Sequence, residues 1–139
     1  MKILLVEDDS PDACVLVELL VEQEGVEDIF CVVDGYEALD YVYQREKYKN
    51  AWRPDLILLD LGLPRISGYA VLYELKKQPN FATIPVVILT ASRNPLDREQ
   101  CAKLGADCFL SKPHNFKEYE ELAHKLATMN FPLPSAKIF

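Results

Sequence analysis

With 139 residues, 50% of them hydrophobic and 27% charged, the chain is long enough to bury the core of one domain and too ordinary in composition to be disordered as a whole. A formal net charge of -7 argues against sequence-independent binding to nucleic acid or to an anionic membrane, both of which need a basic footprint. No apolar stretch approaches the roughly 18 residues of a membrane span, and Met1-Lys2-Ile3 runs straight into a strand pattern, so the cytoplasm is the expected location.

Apolar runs and helical patterns alternate along the chain. Ile3 to Val6 reads as a buried strand that ends on Glu7, Asp8 and Asp9. Leu16, Leu19 and Leu20 follow at helical spacing after Ser10-Pro11, where Ser suits the N-cap and Pro the first helical position. Asp28 to Val33 is a second strand, and Leu39, Val42 and Tyr43 mark a second helix after Asp34-Gly35. Gln44 to Arg53, charged and aromatic, is surplus to this alternation.

Leu56 to Leu59 is a wholly apolar strand ending at Asp60, and a helix with Val71, Leu72 and Leu75 follows Ser67-Gly68. Val86 to Leu89 ends at Thr90; a weaker helix after Asn94-Pro95 carries Cys101, Ala102 and Leu104 and stops at Gly105. Phe109 and Leu110 lead through Ser111 to Lys112. A last helix, with Phe116, Tyr119, Leu122, Ala123 and Leu126, follows Asn115, and Glu118 is placed for a capping box. Cys14, Cys31, Cys101 and Cys108 have no C-x-x-C spacing and are expected to be mostly small buried hydrophobes in a reducing compartment.

Five strand-then-helix units with right-handed crossovers give an α/β fold, a doubly wound five-stranded parallel sheet. The strand order 2-1-3-4-5 is borrowed from flavodoxin-like folds, because it sets the first and third strands, and hence Asp8 and Asp60, side by side at the switch point. Ligands of open α/β sheets bind beyond the carboxyl ends of the strands. Three acids, a hydroxyl and an ammonium are therefore expected in one crevice.

That set suits Mg²⁺ and a phosphoryl group. Mg²⁺ prefers six oxygens and keeps several waters, so Asp8 and Asp60 suffice as direct ligands, with the longer Glu7 reaching through a water. Without a cation the acids would repel one another, which is the reason to expect Mg²⁺ and Lys112 there together. Asp60 stands alone at its strand end and is the best nucleophile; attack on phosphorus would give an acyl phosphate. Lys112 would stabilise the phosphoryl oxygens and Thr90 would add a hydroxyl donor. Each residue by itself has a bland reading as a cap, turn or surface residue, and the coincidence at four strand ends is what favours a site.

The same residues carry a resemblance. Ile3-Leu4-Leu5-Val6-Glu7-Asp8-Asp9, Pro54 to Asp60 with Leu63-Pro64 and Gly68, Pro85 to Ala91, Gly105-Ala106-Asp107 and Lys112-Pro113 together resemble the receiver domain of two-component response regulators, over residues 1 to 127. Residues 128 to 139 are then a C-terminal tail. Arg53-Pro54-Asp55, Leu63-Pro64-Arg65, Ile84-Pro85 and the long second helix resemble, more narrowly, the single-domain cyanobacterial phytochrome response regulators. The resemblance implies that Asp60 is phosphorylated from a histidine kinase or phosphotransfer protein. It also implies that Glu7, Asp8, Asp60 and the backbone carbonyl of Gly62 hold Mg²⁺, and that Thr90 and Lys112 contact the phosphoryl group.

Phe109 falls at the aromatic switch position, which turns inward as Thr90 moves. Output would pass to a downstream protein, and the apolar tail residues Met129, Phe131, Leu133, Ile138 and Phe139 suggest a homodimer. No enzymatic turnover is implied beyond self-catalysed phosphorylation and dephosphorylation. Gly62 leaves no side chain to screen an acyl phosphate, and His114 stands where the family usually has an apolar residue.

The rival readings are weaker. A phosphohydrolase of the haloacid dehalogenase kind needs a second acid two residues after its nucleophile, and that position is Gly62. A flavodoxin-like electron carrier needs a hydroxyl-rich phosphate loop after the first strand, where this chain has acids. A phosphorylation-independent interaction module would not need Asp8, Asp60, Thr90 and Lys112 intact.

Overall fold

The computed structural model describes residues 1–131. Its strands are β1 (Lys2–Val6), β2 (Asp28–Val32), β3 (Leu56–Leu59), β4 (Val86–Thr90) and β5 (Cys108–Ser111). They alternate with helices α1 (Ser10–Val21), α2 (Gly35–Val42), α3 (Gly68–Lys77), α4 (Pro95–Lys103) and α5 (Phe116–Thr128). All four strand pairings are parallel, in the order β2-β1-β3-β4-β5 expected from the sequence.

Alternation along the strands divides the core into two layers, because successive side chains of a strand point to opposite faces. Leu4, Val6, Ile57, Leu59, Val86, Ile88 and Phe109 pack with Val71, Leu72 and Leu75 of α3 and Cys101 of α4. Ile3, Leu5, Leu56, Leu58, Val87, Leu89 and Cys108 pack with Leu16 and Leu20 of α1 and Leu122, Ala123 and Leu126 of α5. Burial on both faces is why the strands read as unbroken apolar runs.

Several local expectations are refined, and one fails: the second helix, expected to be long, is the shortest of the five at 8 residues, because the chain leaves it at Tyr43 for the aromatic segment that follows. The N-cap of α1 is Asp9, whose carboxylate accepts the Asp12 N–H, so Ser10 and Pro11 already lie in the first turn. Acid preceded hydroxyl in the contest for that cap because Asp and Ser cap equally well and Asp9 sits one residue earlier. At α5, Asn115 caps the Glu118 N–H, whereas the Glu118 side chain reaches back to His114 N–H, one residue beyond the usual capping-box partner.

Cys101 and Cys108 are buried, Cys31 is half-buried, and Cys14 is exposed on α1, contrary to the expectation drawn from its apolar neighbours. The surplus segment after α2 closes the sheet edge. It contains a short 3-10 turn, Glu46–Tyr48; Tyr41 and Tyr48 pack on Phe30 of the edge strand β2, and Trp52 packs edge-on against Tyr41. Trp52 Nε1 also donates to Asp28 at 3.1 Å. Such cover blunts an edge that would otherwise pair with another chain. The apolar tail residues Leu133, Ile138 and Phe139 lie outside the described residues.

Candidate functional site

The sheet ladder itself builds the site by running one residue past each strand. Glu7 N–H donates to Val32 C=O at 3.0 Å, Asp60 N–H to Val6 C=O at 3.2 Å, and Lys112 N–H to Thr90 C=O at 2.8 Å. Backbone register therefore places Glu7, Asp60 and Lys112 along one edge before any side chain interacts. Glu7, Asp8 and Asp60 each bring a carboxylate oxygen within 4.8 Å of the others.

Lys112 closes the group. Its Nζ lies 2.7 Å from Glu7 Oε1 and 3.3 Å from Asp60 Oδ2. A third carboxylate, Asp12 of α1, approaches Nζ at 3.3 Å. Glu7 and Asp60 are 4% and 8% exposed, so these charges are only weakly screened by water. Burial pushes the Glu7 carboxyl up to about 7, against the bond from Lys112, and the charge of Asp60 adds to the rise. Burial alone would depress the Lys112 ammonium, but the bonds and charges of Glu7 and Asp60 outweigh it and raise its pKa. One ammonium thus answers several acids, which leaves a net negative, oxygen-rich pocket suited to a hard divalent cation.

Thr90, 4% exposed, ends β4 beside this group, and its hydroxyl oxygen accepts Ser92 N–H at 3.3 Å. That bond uses a lone pair and leaves the hydroxyl hydrogen for an acceptor in the crevice. Phe109 points inward at 3% exposure, with the Arg98 guanidinium 5.3 Å from its ring centre. Gly62 N–H approaches Asp60 Oδ1 at 3.4 Å, and a Cβ at Gly62 would meet nothing within 4 Å. His114 is exposed and is not among the groups around Lys112.

The sequence reading missed three supporting groups. Asp12 had only its place in the first turn of α1 to recommend it. Arg65, in a left-handed conformation with φ 69°, pairs with Asp34 at 3.1 Å and ties the loop after Asp60 to the N-cap of α2. Asp97 of α4 accepts the hydroxyls of Ser92 and Tyr69. None of the three has a local spacing that betrays a partner some 30 or 100 positions away.

Comparison with known proteins agrees with this geometry. Residues 3–124 match the response regulator receiver domain. The chain is 40% identical over 116 residues, 84% of its length and 79% of the relative's, to the response regulator Rcp1 of Synechocystis sp.. It superposes with a TM-score of 0.87 and 37% identity on the phosphorylated cyanobacterial phytochrome response regulator RcpA, covering 95% of this chain and 98% of that one. The Mn²⁺-bound form of Rcp1 matches with the same TM-score at 35% identity, covering 95% and 99% of the two chains. An acid-lined crevice at the switch point of a 2-1-3-4-5 sheet, and sequence likeness that spans it, agree in one conclusion: this chain belongs to the response regulator receiver domain family, and it is related to the phytochrome response regulators.

Proposed function

We propose that Asp60 accepts a phosphoryl group from a histidine kinase or phosphotransfer protein and that the modified domain signals to another protein. The observation that carries this reading is the placement of Lys112 Nζ between Glu7 and Asp60, within a set of three acids whose oxygens lie 4.8 Å or less apart. Glu7, Asp8, Asp60 and the Gly62 carbonyl would hold Mg²⁺. When bound, that ion would offset the charge of the acids and of the incoming phosphoryl oxygens.

A carboxylate oxygen of Asp60 forms the new bond to phosphorus as the bond from phosphorus to the donor's imidazole nitrogen breaks. The imidazole leaves with the electron pair and takes up a proton from water. Lys112 neutralises charge on the equatorial oxygens, and Thr90 donates its hydroxyl hydrogen to one of them. Pulling Thr90 toward the phosphoryl group shifts the β4–α4 loop, and Phe109, packed beneath it, transmits the shift to the surface of α4 and β5. In this role the chain is a phosphoacceptor rather than a turnover enzyme, and a cytoplasmic location fits it. Among the described residues no helix is long and apolar enough to cross a membrane.

The phosphorylated state named for RcpA and the Mn²⁺ named for Rcp1 support the phosphoacceptor and Mg²⁺ readings, and kinship with both supports a phytochrome kinase as the donor. The receiver unit, expected over residues 1–127, extends through the end of α5 at Thr128, and Met129 and Phe131 of the expected tail pack against the core layer of α1 and α5. A homodimer through β5, α5 and that tail is the assembly we favour, tested by light scattering on the full chain and on one ending at Thr128. A monomeric full chain at micromolar concentration refutes the dimer.

The phosphoryl experiment uses Mg²⁺ and acetyl phosphate. The wild type gains one base-labile phosphoryl group and Asp60→Asn gains none; equal labelling of the two removes Asp60 from the role.

A further inference from the structure

Asp97 sits in the first turn of α4, half-buried, and accepts two hydroxyl hydrogens, one on each carboxylate oxygen. One comes from Ser92 in the β4–α4 loop, two residues past Thr90. The other comes from Tyr69, in the first turn of α3 next to Gly68, whose N–H donates to Leu61 C=O immediately after Asp60. Ser92 is engaged three ways, since its N–H also donates to the Thr90 hydroxyl oxygen at 3.3 Å and its hydroxyl oxygen accepts Asn94 N–H at 3.2 Å. The path from Thr90 through Ser92 and Asp97 to Tyr69 therefore joins the loop that must move with phosphorylation to the helix anchored behind the phosphoacceptor.

We propose that Tyr69, Asp97 and Ser92 form a bracket that holds the β4–α4 loop, and with it Thr90, in its resting position, so that these three positioning residues set how readily Asp60 is phosphorylated. The proposal rests on the reading of Asp60 as phosphoacceptor.

The chemistry favours a bracket over a chance contact. Bonds to an ionised acceptor are stronger than neutral ones. The bond from Ser92, and then that from Tyr69, hold the Asp97 carboxyl below its ordinary range. Burial and the bond to Asp97 raise the Tyr69 phenol well above its own. The two donors stand on different elements, so any displacement of Ser92 away from Asp97 stretches one of these bonds. A Thr90 that moves toward a phosphoryl group on Asp60 carries with it the Ser92 N–H bonded to its oxygen, and so draws Ser92 away from Asp97. A loop freed from Tyr69 reaches the shifted position at lower cost, and a population shift of this kind speeds the step that selects it.

Tyr69→Phe is the cleanest probe, because it removes one hydroxyl and keeps the ring that packs on the core. Two readouts are needed. In the unphosphorylated protein, amide hydrogen exchange across residues 91–94 should accelerate in Tyr69→Phe and in Asp97→Asn. With Mg²⁺ and acetyl phosphate, both variants should label faster than wild type, on the order of tenfold for the loss of one charge-assisted bond. In a Thr90→Ala background, Tyr69→Phe should no longer change the labelling rate. A wild type that takes no label fails the reading of Asp60 itself, and exchange alone then decides whether the bracket exists. Where wild type does label, an unchanged or slower rate in Tyr69→Phe overturns the proposal, as does unchanged exchange. A lower melting temperature with wild-type labelling shows a purely structural contact and overturns it too.

Discussion

A Cβ added to Gly68 would stand 2.2 Å from the carbonyl oxygen of Asp60 and 2.7 Å from Leu61 Cα. The first turn of α3 thus lies directly against the backbone of the residue proposed to take the phosphoryl group. Both obstacles are main chain, which cannot swing aside as a flexible side chain would, so Gly68→Ala must push α3 away from β3. It should destabilise the fold by at least about 2 kcal/mol in urea denaturation. Gly62→Ala, where a Cβ meets nothing within 4 Å, should stay within roughly 0.5 kcal/mol of wild type. Equal stability of the two variants would contradict the close approach.

A pH dependence follows from Glu7, whose carboxyl burial raises from 4.5 to about 7 in the metal-free chain. Between those values the folded protein keeps a proton that the unfolded chain releases. The stabilising contribution is therefore complete below about pH 4.5 and is lost as pH rises through about 7. Its size is on the order of 3 kcal/mol, the opposing bond from Lys112 being already included in the shift. Thermal melts in EDTA should show wild type losing stability relative to Glu7→Gln between pH 5 and pH 8. A constant difference between the two across that range rules out titration of Glu7 there.

Much of this was readable without coordinates, for a physical reason. Strands buried on both faces leave long apolar runs, and a parallel sheet delivers the ends of those runs to one edge, so Glu7, Asp8, Asp60, Thr90 and Lys112 could be grouped from sequence. The strand order was borrowed, because nothing local to β1 says that β3 rather than a later strand lies beside it. Asp9 taking the α1 cap from Ser10 shows the usual one-residue slip where two good capping residues adjoin. Asp12, Asp34 with Arg65, and Tyr69 with Asp97 were invisible. Each is an ordinary polar residue near a helix start, and only the folded chain shows which distant partner it meets.

Lys112 is the only cation within 4.0 Å of Glu7 and Asp60 among the described residues. Lys112→Met keeps the chain length and removes the charge, leaving Glu7 buried beside Asp60. Breaking such a pair from one side is costly, although Glu7 can limit the loss by protonating, so a destabilisation of roughly 2 kcal/mol is expected at neutral pH without metal. Mg²⁺ should restore part of it, because a cation replaces the missing charge. Loss of stability that is identical with and without Mg²⁺ would show that Lys112 acts by packing alone.

Mg²⁺ should stabilise the wild type through the same acids. A ligand that binds only the folded state adds RT ln(1 + [L]/Kd), about 2.7 kcal/mol at a hundredfold excess over Kd. Asp8 is the informative position: it is exposed, so replacing it leaves the core intact, yet its carboxylate completes the three-acid set with Glu7 and Asp60. Asp8→Ala should therefore remain folded and lose the Mg²⁺-dependent rise in melting temperature. In EDTA it should melt no lower than wild type, since one repelling charge has gone. A wild-type melting temperature indifferent to Mg²⁺, measured at pH 8 where Glu7 is ionised, would show that these carboxylates are not a metal site.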